Sequence, residues 1–188
     1  MDLFYIMTTT SFSSCSKDYL DVRYNSYMNL KIYIDCADIE LKQLYNDAAN
    51  IHNDKIFYAD NSYIDCGFNL FSPEQVCCVS EKANPFNLKI VCSAKMVDSL
   101  QEYNTGFFVY SNKELSNTPL RFVDGVTVVN SGFRDNLTIM LDCKEGHLFR
   151  GGNEGWYLIE KGDSFLQICA PGLVPIFVKV VDSLEQLD

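Results

Sequence analysis

Histidine and tryptophan are scarce in this sequence, and so is positive charge. Of 188 residues only two are histidine, His52 and His147, and one is tryptophan. Zinc sites need imidazole and thiolate groups clustered at short spacing. The eight cysteines (Cys15, Cys36, Cys66, Cys77, Cys78, Cys92, Cys143 and Cys169) are scattered, with no CxxC pair. No metal site is therefore expected. Lysine and arginine number 15 against 25 acidic residues, a formal net charge of −10. A phosphate backbone selects for a basic face, so no nucleic-acid partner is expected. No apolar run reaches the roughly 18 residues of a membrane-spanning helix, so no membrane partner is expected either. Walker loops, GxSxG elbows and HExxH helices are missing, as is any repeat period. A Cys–His nucleophile stays open, because scattered thiols and two imidazoles allow many pairings.

What the chain does have is apolar mass: 47% hydrophobic residues, 13% of the total aromatic. One globular domain is expected, able to bury roughly 70% of its unfolded surface. Asp2 with no early Lys or Arg, and the short Leu3–Met7 stretch, do not make a signal peptide. The expected setting is intracellular, with free and mostly buried thiols. The Asn136-Leu137-Thr138 sequon is then a chance match.

Residues 1–27 read as a flexible N-terminal extension, with polar, aperiodic Thr8–Ser14 inside it, and residues 28–188 as the folded domain. Leu30, Ile32 and Ile34 alternate with Lys31, Tyr33 and Asp35, which predicts a strand. An amphipathic helix follows, capped by Asp38, with Leu41, Leu44, Tyr45, Ala48 and His52 on one face and Asn53-Asp54 ending it. His52 closes that stripe as a structural histidine. Beyond residue 56, short β-rich runs are predicted at 87–91, 105–110, 125–129, 137–141, 156–159, 165–169 and 176–181. Asn84-Pro85, Thr118-Pro119, Asp124-Gly125, Ser131-Gly132, Lys161-Gly162-Asp163 and Pro171-Gly172 punctuate them. The expected architecture is mainly β, an antiparallel sandwich or barrel, with one helix laid on it.

Four segments stand out in order: 66–71 (CGFNLF), 106–114 (GFFVYSNKE), 125–134 (GVTVVNSGFR) and 160–171 (EKGDSFLQICAP). Together with Thr118-Pro119-Leu120-Arg121 they resemble the trimeric dUTP diphosphatase (dUTPase) family, particularly the versions of large DNA viruses, over roughly residues 28–184. The resemblance implies a jelly-roll-like β fold, a homotrimer and active sites at subunit interfaces.

The positions that carry the family's chemistry are where this sequence departs. The first family motif has an Asp where this chain has Asn69, and the second has Pro-Arg-Ser-Ser against Ser111, Asn112, Lys113 and Glu114. The third motif's Asp, Tyr and final Gly are Asn130, Phe133 and Asp135, with Gly132 kept. The fourth keeps Gly162, Asp163 and Gln167 but has Ser164 for Arg. The resemblance makes the third-motif Asp the base for the attacking water. Asn130 is no base near neutral pH, and losing a general base costs about 10²–10⁴ in rate. Asn112 replaces a charged fork with neutral donors, and Glu114 adds negative charge beside the expected phosphates, offset only by Lys113. The family's glycine-rich C-terminal arm has no counterpart before Asp188, so no lid is expected to close. The 150–156 stretch (RGGNEGW) reads as a hairpin loop, or as that arm displaced.

The resulting expectation is a dUTPase-fold protein without hydrolytic activity, a structural or interaction module with no functional catalytic residue and no cofactor. If the viral resemblance holds, its setting is host cytoplasm or virion and its partners are viral structural or assembly proteins. An active dUTP diphosphatase making dUMP and pyrophosphate with Mg2+ stays open. So does a non-hydrolysing nucleotide binder that uses Gly67, Lys113, Gly132, Phe133, Gly162, Asp163 and Gln167. Arg121 and Arg134 are expected to pair with acids or carbonyls, and Phe107, Phe108 and Tyr110 to pack rather than stack on a base.

Overall fold

The computed structural model describes residues 24–58, 64–80, 82–98, 101–144 and 156–188. The expectations for residues 1–23, for Cys15 and His147, and for the loop at 150–155 lie outside the described residues.

The described chain is mainly β with one α-helix. Its order is β1 (Ser26–Ile34), α1 (Ile39–Tyr58), β2 (Gly67–Leu70), β3 (Val76–Val79), β4 (Asn84–Asn87), β5 (Ile90–Asp98), β6 (Glu102–Asn104), β7 (Phe107–Ser111), β8 (Leu120–Phe122), β9 (Val126–Val129), β10 (Thr138–Cys143), β11 (Trp156–Ile159), β12 (Leu166–Cys169) and β13 (Ile176–Val181). Three short 3-10 turns, at Lys113–Asn117, Pro171–Leu173 and Leu184–Leu187, complete it.

Among the described residues the strands form four sheets, ordered β13-β1-β5-β6, β2-β12-β7-β9, β4-β10-β8 and β11-β3. All pairings between these strands are antiparallel except β1 with β13, and an isolated parallel bridge joins Ser80 to Cys143. The alternation read in β1 is real: Met28, Leu30, Ile32 and Ile34 point into the core. There they join Phe68, Leu70, Val109, Ile139, Ile159 and Ile168 from the other sheets in one continuous cluster. The strand starts two residues before Met28, with Ser26 and Tyr27 paired to Asp98 and Val97.

Helix α1 begins as expected, with the Asp38 carboxylate accepting the Leu41 N–H at 3.0 Å. It does not stop at Asn53-Asp54 but runs to Tyr58, and its buried face is Leu41, Tyr45, Ala49, His52 and Ile56. The reason lies in the neighbouring sheet. Asn53 turns its amide onto β13, donating to Val178 O at 2.8 Å and accepting the Val178 N–H at 2.9 Å. The His52 Nε2–H donates to Ile176 O at 2.9 Å. Two helix side chains thus take up main-chain groups that a sheet edge would otherwise leave unpaired. Burial holds the His52 imidazole below its ordinary pKa, which fits a neutral structural role.

Two strand expectations need correction. Asn84-Pro85 is not a turn: Pro85 lies in β4, the edge strand of its sheet, where a missing N–H is tolerated. The run expected at 87–91 is two strands, broken at Lys89, whose φ is +51°.

Candidate functional site

The sheet β2-β12-β7-β9 collects the four singled-out segments, one on each strand. Pairing sets Asn69, Gln167 and Tyr110 side by side on three adjacent strands, with Gly67, Cys169 and Phe108 one pleat further on. Successive side chains alternate between faces, so Phe68, Ile168 and Val109 point inward to the core while this row faces outward.

The polar centre of the row is an amide cluster just past β7. Asn112 Nδ2 donates to Asn69 Oδ1 at 3.3 Å, to Ser164 O at 3.2 Å and to Ser164 Oγ at 3.3 Å. Its Oδ1 accepts the Glu114 N–H at 3.0 Å and so caps the 3-10 turn Lys113–Asn117. Its own N–H donates to Phe165 O at 2.8 Å. Ser164, read in the sequence only as a missing Arg, is the group that satisfies Asn112.

Gln167 lies over Gly67. A Cβ at Gly67 would fall 2.2 Å from Gln167 Oε1 and 3.2 Å from Cys169 Sγ, so glycine there leaves room for the glutamine. Gln167 Nε2 also reaches Ser111 O at 3.4 Å.

The cluster is held by its surroundings. The Phe71 N–H donates to Tyr45 Oη at 3.0 Å, tying the end of β2 to the helix. Burial pushes the Tyr45 phenol well above its usual pKa, keeping it neutral. Gly162 and Asp163 form a tight turn: the Glu160 N–H donates to Asp163 Oδ2 at 2.9 Å, and Gly162 has φ +86°. The turn docks on Ser72 through Ser72 N–H to Asp163 O at 2.8 Å and Gly162 N–H to Ser72 O at 2.9 Å. Gly162 and Asp163 thus shape the chain that presents Ser164.

The remaining candidates stand apart. Lys113 projects into solvent with its side chain 90% exposed and its Nζ 3.9 Å from Glu114. Asn130, Gly132 and Phe133 are exposed on the turn that follows β9, where the Phe133 N–H donates to Asn130 O at 3.0 Å. Val129 pairs with Phe107, the first residue of β7, whereas Asn112 follows its last. At roughly 3.3 Å per residue, about 15–20 Å of strand separates the two groups within one chain.

The cluster presents amide, hydroxyl and carbonyl groups, without a carboxylate. That donor set does not fit magnesium, a hard cation that takes carboxylate and phosphate oxygens. Among the described residues no group of three His, Cys, Asp or Glu side chains is placed to hold a metal ion. As expected, Arg121 pairs with Asp142, and Arg134 with Asp188 and with carbonyl oxygens of its own turn. Phe108 and Tyr110 are half-buried on the outer face with ring centroids 6.0 Å apart, and beside them on β9 stand the exposed Val126 and Val128.

The sequence matches no protein-family profile and no curated protein. Solved structures similar to this chain include the dUTPase of Staphylococcus bacteriophage 80alpha with dUpNHpp, at 19% identity over 65% of this chain and 78% of that one, TM-score 0.44. A mutant of the same phage enzyme with dUpNHpp is similar at 19% identity over 65% and 84%, TM-score 0.43. Native EIAV dUTPase is similar at 14% identity over 56% and 73%, TM-score 0.40.

Proposed function

We propose that this chain is a dUTPase-fold protein that does not hydrolyse dUTP and serves as a structural or interaction module. The observation that carries this reading is the amide cluster. Asn112 spends its donors on Asn69 and Ser164 and its acceptor on the Glu114 N–H. Where a triphosphate needs cationic donors, the cluster offers neutral amides already engaged with one another. The charges beside it are Lys113, extended into solvent, and Glu114, which repels phosphate. Asn130 lacks the basicity to take a proton from water.

The order of the four motifs and their gathering in one sheet support the ancestry. The separation of the Asn130–Phe133 turn from the Asn112 cluster supports a homotrimer, in which a neighbouring chain would bring the two together. The proposed intracellular setting rests on the scattered free thiols, and the proposed viral partners on the motif resemblance.

The test is dUTP turnover by the purified full chain with Mg2+, run beside Gln167→Ala. The reading predicts release of pyrophosphate no faster than the buffer blank from either. Calorimetric titration with a non-hydrolysable dUTP analogue separates a silent binder from a module that binds none. Heat that saturates and is lost in Gln167→Ala assigns the binder reading instead.

A further inference from the structure

Residues 183–188 fold back over the outer face of β13, β1 and β5. Leu187 is 1% exposed and packs with Val91, Val181 and Tyr33. Ser93 Oγ donates to Leu187 O at 2.5 Å, and Lys31 Nζ to Gln186 O at 2.6 Å and Asp188 O at 3.0 Å. Gln186 Oε1 accepts the Asp182 N–H at 2.8 Å, which closes the segment on its own approach.

This segment also reaches the turn after β9. Asp188 Oδ1 accepts from Arg134 Nη2 at 2.9 Å, while Arg134 Nη1 donates to Ser131 O and Phe133 O, both at 2.9 Å. One guanidinium therefore closes the turn with one nitrogen and holds Asp188 with the other.

Asp188 also stands among the charges that surround Lys31. Lys31 lies opposite Lys179 in the β1–β13 register, and Lys95 pairs with Asn29, one pleat from Lys31 on the same face. Burial, with Lys95 and Lys179 nearby, holds the Lys31 ammonium below its ordinary pKa, while Asp188 and Glu102 attract it and offset part of that cost. Glu102 is itself 3.6 Å from Lys95. Lifting the segment away would leave three cations facing one another with Glu102 as their near counter-charge.

We infer that residues 183–188 are a strap: Leu187 anchors it to the β1–β5 face, and Asp188, acting through Arg134, fixes the Ser131–Phe133 turn. An exposed ion pair alone is weak. Here the buried Leu187 holds the carboxylate next to its partner, which raises its effective concentration there. The presentation of Phe133 and Gly132 is therefore coupled to a segment about fifty residues later in the sequence. The inference does not depend on what the amide cluster binds.

Amide hydrogen exchange of the full chain, followed by NMR, tests it. The Phe133 amide reports on the turn, the Gln186 amide on the strap, and the Ile32 and Cys92 amides on the underlying sheet. Leu187→Ala is expected to speed exchange at both Gln186 and Phe133 by about tenfold or more, with Ile32 and Cys92 unchanged. Asp188→Asn is expected to speed Phe133 by about two- to fivefold while Gln186 stays protected. Phe133 protection that survives while Gln186 exchange rises in Leu187→Ala would overturn the strap. If that variant loses protection at Ile32 and Cys92 as well, Asp188→Asn decides alone, and unchanged Phe133 exchange there overturns the coupling.

Discussion

Asn112 is bound through both halves of its amide, and each half has a separate structural consequence. The oxygen caps a 3-10 turn, and the nitrogen joins the end of β7 to β2 and to the Ser164 segment. Asn112→Ala removes both and is expected to cost about 1–2 kcal/mol in urea unfolding. Asn112→Asp keeps the cap but loses the donor, so it should fall between wild type and Ala. Gly67→Ala is expected to cost no more than about 1 kcal/mol, because the flexible end of Gln167 can swing aside and gives up chiefly its reach to Ser111 O, and in a Gln167→Ala background even that cost should vanish.

His52 gives a pH signature. Burial depresses its folded pKa below the unfolded value of 6.5, so the unfolded chain binds the extra proton first as pH falls. The His52 contribution is fully present above pH 6.5 and is lost as pH drops through 6.5 toward the lower folded pKa. Urea midpoints measured across that range should fall with acid in wild type, and fall less in His52→Gln. An equal slope in both would contradict the assignment. The histidine was legible in the sequence because it fell on the apolar stripe. Ser164 as Asn112's partner was not, because nothing in a linear motif shows which distant carbonyl or hydroxyl an amide will meet.

At the scale of elements, α1 was readable from its cap and its stripe, and its end was not. Asn53-Asp54 has the composition of a helix stop, but Asn53 is used sideways, on Val178 of β13. Asn53→Ala is expected to leave two strand-edge groups unpaired and to cost about 2 kcal/mol, measured by thermal or urea unfolding. Strands with a clear alternation or apolar run, such as β1, β11 and β13, could be read locally. β3, β6 and β8 could not: each is three or four residues long, β3 and β8 pair with β11 and β10 further along the chain, and β6 is the short return of a hairpin on β5. Pro85 misled for a related reason, since whether proline marks a turn or an edge depends on which strand side is left unpaired.

At the scale of the molecule, the cysteines follow burial. Cys78, Cys92, Cys143 and Cys169 are buried, and Cys66 and Cys77 are exposed. Burial, with Cys143 and Asp142 nearby, pushes the Cys78 thiol up to about 12, and burial alone raises Cys92. Thiolate is the reactive form, so brief iodoacetamide labelling read by peptide mass spectrometry should mark Cys66 and Cys77 and spare these four until the chain unfolds. Fast labelling of Cys78 or Cys92 in the native protein would mean that the β3–β11 and β1–β5 regions open far more readily than their packing implies.

The same scale holds the central proposal, that the sheet collecting the four motifs carries an amide cluster engaged with itself and does not hydrolyse dUTP. Fold class was legible because it is written in apolar spacing and turn residues, and the order of the four motifs through their resemblance to a known family. The contacts of Asn112 with Asn69 and Ser164, on which the proposed loss of hydrolysis rests, join three separate strands and loops and leave no linear signature. The most direct measurement is pyrophosphate release from dUTP by the purified chain with Mg2+ at neutral pH. The account predicts a rate indistinguishable from buffer. Sustained turnover that falls when Gln167 is replaced by Ala would contradict it.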